Sequence, residues 1–563
     1  MSSSPATSST STLTDAHPHD VESQKHVPSP RKVPHWRLVA SQSLVTDEVL
    51  NYHYKGNGTE DDPYVVEFIP HDPRNPMNFP EWKKWCLTLT VAFATLAVAF
   101  VSTAYTASIT QIIEEFHCSQ EVATLGVSLF VLGFAIGPLL WAPLSELYGR
   151  QVLFIGTYAV LTAFNAGAAG AQSIASLIIM RFFAGTFGAS PLTNAGGVIA
   201  DIFPANQRGL GMSIFAAAPF LGPTIGPVVG GFVAETIGWR WNEGIMAIFT
   251  GLLGIFGALV VPETYAPVIL SRRAKELTKR TGKIHVSSIE KRQGKVTPGA
   301  AFEKAISRPW ALLFLEPIVL LISIYMAILY GTLYMLFGAF PIVFEQNRGW
   351  SQGIGGLAFS GVAVGMIGGV VYSIFDNKRY SRIEAEHDGE APPEARLPPA
   401  AVGAVAIPIG MFWFAWTNYP SIHWIVCIIA SAPFGFGMVL VFLACMNYLI
   451  DAYTIYAASV LAANSVLRSL FGAVFPLFTV QMYNNLGIHW ASTIPAFLAL
   501  ACAPFPFVFY KYGESIRMKC KYAAQAHEVM VQMRQSREKE VKEEEDHPGV
   551  MSGEPEKKAE GNR

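Results

Sequence analysis

The chemistry open to this chain rests on a few charges set inside long apolar stretches. Arg181 opens Arg181-Phe-Phe-Ala-Gly185-Thr-Phe-Gly188, Glu316 sits within Leu313-Phe-Leu-Glu316-Pro-Ile-Val-Leu320, and Arg468 within Asn464-Ser-Val-Leu-Arg468-Ser-Leu-Phe-Gly472. A charge in hydrocarbon costs several kcal/mol unless it faces a partner or water, so each needs a reason. Glu316 is a candidate proton carrier, and equally an acid at a helix start, favoured there by the helix dipole. Arg468 is a candidate for coupling or for a structural ion pair. Two further acid and arginine pairs flank short polar breaks: Glu146 with Arg150, after Gly149, and Asp201 with Arg208. An acid and an Arg at adjacent helix ends can pair in one conformer and part in another, which is how a latch works. Enzyme chemistry is not expected: no nucleophile and base stand at recognisable spacing. The six cysteines show no paired or zinc-like spacing, and no phosphate-cradling G-x-x-x-x-G-K-[ST] occurs, which speaks against metal binding and an ATP-driven pump.

The elements that must hold these charges are membrane helices. Hydrophobic residues make up 51% of the chain and charged ones only 15%, against roughly 25% in a soluble domain. Apolar runs of about 20 residues, enough to cross about 30 Å of hydrocarbon, number twelve. The first six lie near 85–109, 122–145, 152–171, 176–202, 210–234 and 244–261; the second six near 315–340, 354–375, 400–416, 422–450, 456–482 and 491–510. The expected organisation is an all-α membrane protein: a mostly disordered cytoplasmic tail 1–84, a six-helix bundle 85–261, a cytoplasmic loop 262–308, a second bundle 309–512 and a tail 513–563. Lys and Arg crowd 272–295 and 378–382, whereas the connections after the first, third, ninth and eleventh runs carry none. Basic residues stay on the cytoplasmic side of short loops, so both termini are expected there. Six plus six spans around a long linker is the sequence form of two parallel repeats that rock about a central site, although no residue-by-residue repeat is visible.

On the fifth span, Pro219-Phe-Leu-Gly222-Pro223-Thr-Ile-Gly226-Pro227-Val-Val-Gly230-Gly231 repeats glycine at every fourth position. Gly222, Gly226 and Gly230 therefore share a face that a neighbouring backbone can approach, and Pro223 and Pro227 bend the helix. Four segments together resemble the fungal twelve-span drug:proton antiporters of the major facilitator superfamily. They are Gly137-Pro-Leu-Leu-Trp-Ala-Pro-Leu-Ser-Glu146-Leu-Tyr-Gly149-Arg150-Gln151, the Arg181 to Gly188 segment, the Gly222 to Gly231 segment, and Val261-Pro-Glu-Thr-Tyr-Ala-Pro-Val268. The resemblance runs from about Asp72 to Tyr512; Ala142 and Gln151 depart from the general loop pattern, where a glycine and a basic residue are usual.

That resemblance implies a major facilitator fold of two six-helix bundles and proton-coupled efflux of drugs, toxins or other small amphipathic molecules by alternating access. It implies proton coupling at Arg181, a hinge and a seal against the other half at Gly222 to Gly231, and an aromatic cavity on spans one, four, seven and ten. Asn194, Tyr330, Tyr334, Phe434 and Phe436 are the cavity candidates. It further implies a small-molecule substrate, the lipid bilayer as surroundings, no nucleic acid, no cofactor beyond a proton gradient, a monomer, and the plasma membrane or alternatively the vacuolar one. An importer or sensor for a small metabolite on the same fold is the alternative function.

Overall fold

A computed structural model describes residues 33–546 apart from 205–206, 295–296 and 388–390. Its spanning helices are α1 (Glu81–Ala104), α2 (Gln120–Tyr148), α3 (Arg150–Ala169), α4 (Ile174–Ile202), α5 (Arg208–Ile237) and α6 (Trp239–Val260) in one half. The other half holds α7 (Pro317–Phe340), α8 (Ser360–Glu386), α9 (Pro398–Thr417) and α10 (Trp424–Ala452), followed by one helical stretch, Ala457–Cys502, that continues into Pro504–Arg517.

Eleven stretches are long and apolar enough to span, and the last, Thr454–Arg517, runs for 64 residues. At 1.5 Å per residue a straight helix of that length would reach about 96 Å, three hydrocarbon thicknesses. It is not straight: Gly487 takes φ 76° and ψ 161°, a left-handed region that favours glycine. Tyr483 and Ser492 then hydrogen-bond at 2.8 Å across nine positions. The chain reverses there, giving α11 (457–486) and α12 (488–502), and hence the twelve spans read from hydropathy.

The repeat invisible in the residues is visible in the packing. In the first half α1 lies on α5, α2 on α4 and α3 on α6; in the second α7 lies on α11, α8 on α10, and α9 against the stretch that contains α12. Across the seam, α2 meets α11 and α5 meets α8, the same pairing with the halves exchanged. Each half thus solves the same packing problem with different side chains.

The face where α1 begins, here the tail face, carries more structure than its composition suggests. The tail 1–84 read as mostly disordered, yet its described residues include the helices His35–Ala40 and Asp47–Leu50 and the strand β1 (Tyr64–Val66). That strand pairs in parallel with β2 (His285–Ser287), so Tyr64 faces His285. Val49, Tyr54 and Val66 bury themselves with Leu270, Ala274 and Leu277, supplying the core that a polar tail lacks. Arg273 and Asp72 form a buried ion pair beneath. Arg74 donates to the Glu263 carbonyl at 2.8 Å, and burial lowers its guanidinium to about 10. The segment 262–308, expected as a loop, holds the helices Ala266–Thr281, Ser288–Gln293 and the start of Pro298–Leu315.

Candidate functional site

Arg181 lies about two turns into α4 and is fully buried rather than reaching for a membrane surface. Its guanidinium donates to the carbonyls of Gly126 at 3.2 Å, Val101 at 3.1 Å and Ser102 at 3.2 Å. The rings of Phe130 and Tyr105 lie 4.3 Å and 4.8 Å from its central carbon, cation–π contacts that shield it. Its remaining nitrogen stands 3.7 Å from a carboxylate oxygen of Glu243 on α6. Glu243 is equally buried, and neither of its oxygens accepts a hydrogen bond among the described residues. A buried carboxylate with one partner and no hydrogen bond has little to hold its charge. Sequence reasoning missed Glu243 because hydropathy starts span six at Gly244. The helix starts at Trp239, after Gly238 at φ 89°, and carries the acid one turn inside.

From this pair a polar thread crosses the seam. Ser102 on α1, whose carbonyl accepts from Arg181, shares a 2.8 Å hydrogen bond through its hydroxyl with Tyr334 on α7. The Tyr334 and Tyr330 hydroxyls lie 3.5 Å apart. The Tyr330 ring in turn lies 4.9 Å from the Arg468 guanidinium on α11. Phe442 on α10 closes the other side of Arg468 at 5.8 Å and meets Phe220 of α5, across the seam, at 4.7 Å. Tyr330 and Tyr334 therefore lie together at the seam, beside Phe442, which the sequence reading did not single out. Phe436 instead packs on Tyr372 of α8, and the Phe434 backbone lies against Gly410 of α9.

A second cluster occupies the tail face. Arg150 donates to Ser145 Oγ at 2.5 Å, to Asp201 at 3.4 Å and to Asn194 at 3.4 Å, and its guanidinium lies 4.8 Å from the Tyr265 ring. Burial pushes the Tyr265 phenol up to about 12, so this ring is neutral at physiological pH. Asn194, expected in the cavity, instead accepts from Arg150 on the tail face. Glu263 was quoted only within its segment, yet it is the hub: its carboxylate accepts from the backbone N–H of Arg150 at 2.9 Å, Gln151 at 3.3 Å, Thr264 at 3.0 Å and Tyr265 at 3.0 Å. Such a cap neutralises the start of α3. A Cβ at Gly149, where φ is 99°, would collide with that carboxylate. Glu146 is exposed and makes no hydrogen bond or ion pair among the described residues, though it lies within electrostatic reach of Arg150 and Lys304. The Arg208 side chain lies outside the described residues.

Glu316 is remote from Arg181. It is the residue before α7, fully buried, accepting from the Tyr453 hydroxyl at 2.9 Å and the Tyr522 N–H at 2.8 Å. It ties the helix Lys521–Asp546 to the second half. The repeated glycines also resolve: Gly222, Gly226 and Gly230 face the α1 backbone between Leu96 and Ala104, inside their own half. Pro227 has no N–H for the Pro223 carbonyl, and Thr103 of α1 supplies the missing donor at 2.9 Å. Gly231 and the Pro227 carbonyl turn outward, against Gln352, Gly353 and Gly356 of the other half, and Phe220 and Glu235 of the same helix also reach across.

Residues 91–476 match the family model described as Major Facilitator Superfamily. A Trichophyton rubrum protein named MFS-type efflux pump MFS2 is 64% identical over 516 residues, covering 92% of this chain and 86% of its own. An Aspergillus fumigatus protein named Major facilitator superfamily multidrug transporter mdrA is 65% identical over 521 residues, covering 92% and 86%. The xylose transporter XylE from E. coli, in a partially occluded inward-open conformation, matches with a TM-score of 0.56 at 17% identity, over 77% of this chain and 98% of that one, a likeness of fold alone. With its twelve spans, paired halves and this match over most of its spanning region, the chain belongs to the Major Facilitator Superfamily, a family of membrane transporters and not of enzymes.

Proposed function

We propose that this chain exports drugs, toxins or other small amphipathic molecules in exchange for protons, by alternating access, from the plasma membrane with both termini in the cytoplasm. The observation that carries the reading is the buried Arg181–Glu243 pair and its link to the seam through Ser102 and Tyr334. Glu243 sits one turn from the start of α6, on the side opposite the tails. A proton arriving from that side neutralises the carboxylate and ends its attraction for Arg181. The guanidinium keeps its carbonyl partners, and through the Ser102 carbonyl the change reaches the contact that joins the halves. Release of the proton toward the tail face restores the pair and resets the seam. The relatives' names, an efflux pump and a multidrug transporter, support export as the direction.

The test uses purified protein in liposomes. A pH step drives uphill movement of a fluorescent amphipathic drug, a protonophore abolishes it, and Glu243→Gln loses the pH-driven component while still exchanging drug for drug. Uphill transport by Glu243→Gln at the wild-type rate would remove Glu243 from the proton path. Drug movement that ignores the pH step in the unaltered protein would sink the coupling itself.

A further inference from the structure

Arg181 and Arg468 are both arginines within spanning helices, and only one of them is satisfied. Arg181 has three carbonyls and a carboxylate. Arg468 has no hydrogen bond and no ion pair among the described residues, and its buried Nε has no acceptor. It lies eleven residues beyond Ala457, the start of α11, which at 1.5 Å per residue is about 17 Å into the membrane. It is half-buried, so part of the guanidinium stays reachable.

Its surroundings are a receptor for something flat. The aromatic faces of Tyr330 and Phe442 flank it, Phe220 of the other half extends the wall, and Tyr330 packs directly against Gly472 one turn along. Asn464, one turn the other way, gives its amide N–H to Ser323 of α7, and its Oδ1 accepts no hydrogen bond among the described residues, from Arg468 or any other group. A weakly hydrated planar cation between aromatic rings, at mid-membrane and lacking a counter-ion, retains its full capacity for bidentate pairing with a planar anion. Lipid cannot supply that anion at this depth, whereas a substrate entering the seam can.

We propose that Arg468 is the substrate's counter-ion, and that the site between the halves takes aromatic compounds carrying an anionic group, an aryl carboxylate or its chemical equivalent. This rests on the reading of the chain as a proton-coupled exporter and narrows its substrate class. The carboxylate lies against the guanidinium, and the ring packs on the wall of Tyr330, Phe442 and Phe220; Phe220 and Phe442, 4.7 Å apart across the seam, part as the halves move to admit it. Such a site disfavours organic cations, which meet an uncompensated positive charge.

The experiment compares 2-naphthoate, 2-naphthamide and 2-naphthylmethylammonium, three probes of one ring system and different charge. Binding is measured calorimetrically on purified full-length protein, and transport in liposomes with a pH step. Unaltered protein is expected to bind naphthoate at least tenfold more tightly than the amide and the ammonium compound least. Arg468→Gln should cut naphthoate affinity at least tenfold and leave naphthamide unchanged, with Arg468→Lys between. Equal binding of naphthoate and naphthamide by unaltered protein overturns the proposal, a result that needs no variant to fold. Equal loss of all three probes in a folded Arg468→Gln protein also overturns it and makes Arg468 part of the moving machinery. If no probe responds to the pH step while naphthoate binding still depends on Arg468, the exporter reading fails and the anion site stands.

Discussion

At the scale of single residues, local pattern marked Asp201, which pairs with Arg150, but not Glu243 or Glu263. Glu146 and Glu316 stood out in the sequence, one in a recognisable loop and the other amid apolar neighbours. In the fold the first is exposed, within electrostatic reach of Arg150 and Lys304, and the second anchors the helix Lys521–Asp546. Neither Glu243 nor Glu263 was singled out, because each lies beside a helix boundary. Their burial is decided by α4 in one case and by the α3 start in the other, and no short pattern encodes which helix arrives. Arg181 was legible for the opposite reason: a permanent cation among apolar residues announces itself. Glu263 gathers four backbone N–H groups, so Glu263→Ala strips the cap from α3 and leaves those donors to water or to nothing. A lost cap costs about 0.5–2 kcal/mol, and the buried position favours the upper end. Thermal unfolding of the purified protein should show a melting point lowered by several degrees, with Glu263→Gln recovering part of it; an unchanged melting point for the alanine variant would refute the cap.

Among the elements, α5 shows how far spacing reads and where it stops. Glycine at every fourth position correctly gave one close-packing face, since that follows from the helical repeat alone. Which helix meets that face does not follow, and the answer is α1 of the same half, while Phe220, the Pro227 carbonyl, Gly231 and Glu235 reach the seam. In the same way rotation about a helix axis, which spacing does not set, puts Asn194 beside Arg150 and Phe436 beside Tyr372 of α8. A Cβ added at Gly226 would meet Thr103 Oγ1 and the Ala104 nitrogen. Gly226→Ala should therefore pry α5 from α1 and take away the hydroxyl that satisfies the Pro223 carbonyl. Overpacking of this kind costs about 1–3 kcal/mol. The expected readout is a lower melting temperature and slow transport of every substrate alike. A loss confined to one substrate would argue that α5 lines the binding site instead.

For the whole molecule the informative quantity is how little polar contact joins the halves. Among the described residues three hydrogen bonds with a side-chain partner cross the seam: Ser102 to Tyr334, Gln481 to Glu121 and the Gly353 N–H to Glu235. The last two lie on the side opposite the tails, at the ends of α2, α5 and α11, so the halves are fastened there. A hydrogen bond of this type is worth about 0.5–1.5 kcal/mol net, which suits a joint that must open repeatedly. Ser102→Ala and Tyr334→Phe, singly and together, form a double-mutant cycle on the central contact. Each single change should shift the exchange rate between the two open states, measured by fluorescence from labels on opposite halves, and the pair should shift it no further than either alone. Strict additivity would mean that the hydroxyls do not act through each other.

Where the superfamily loop usually carries a second basic residue, Gln151 places its amide on the Val39 carbonyl at 2.9 Å and accepts from Gln42 at 3.0 Å. Neutral amides gain nothing from low ionic strength and lose nothing to salt, whereas a lysine or arginine there would be screened within about 8–10 Å in a cytoplasm-like medium. The clasp between the amino-terminal segment and α3 is therefore indifferent to the osmotic and ionic swings a microbial cell meets, and it holds the Glu263-capped helix start in register whatever the surrounding salt.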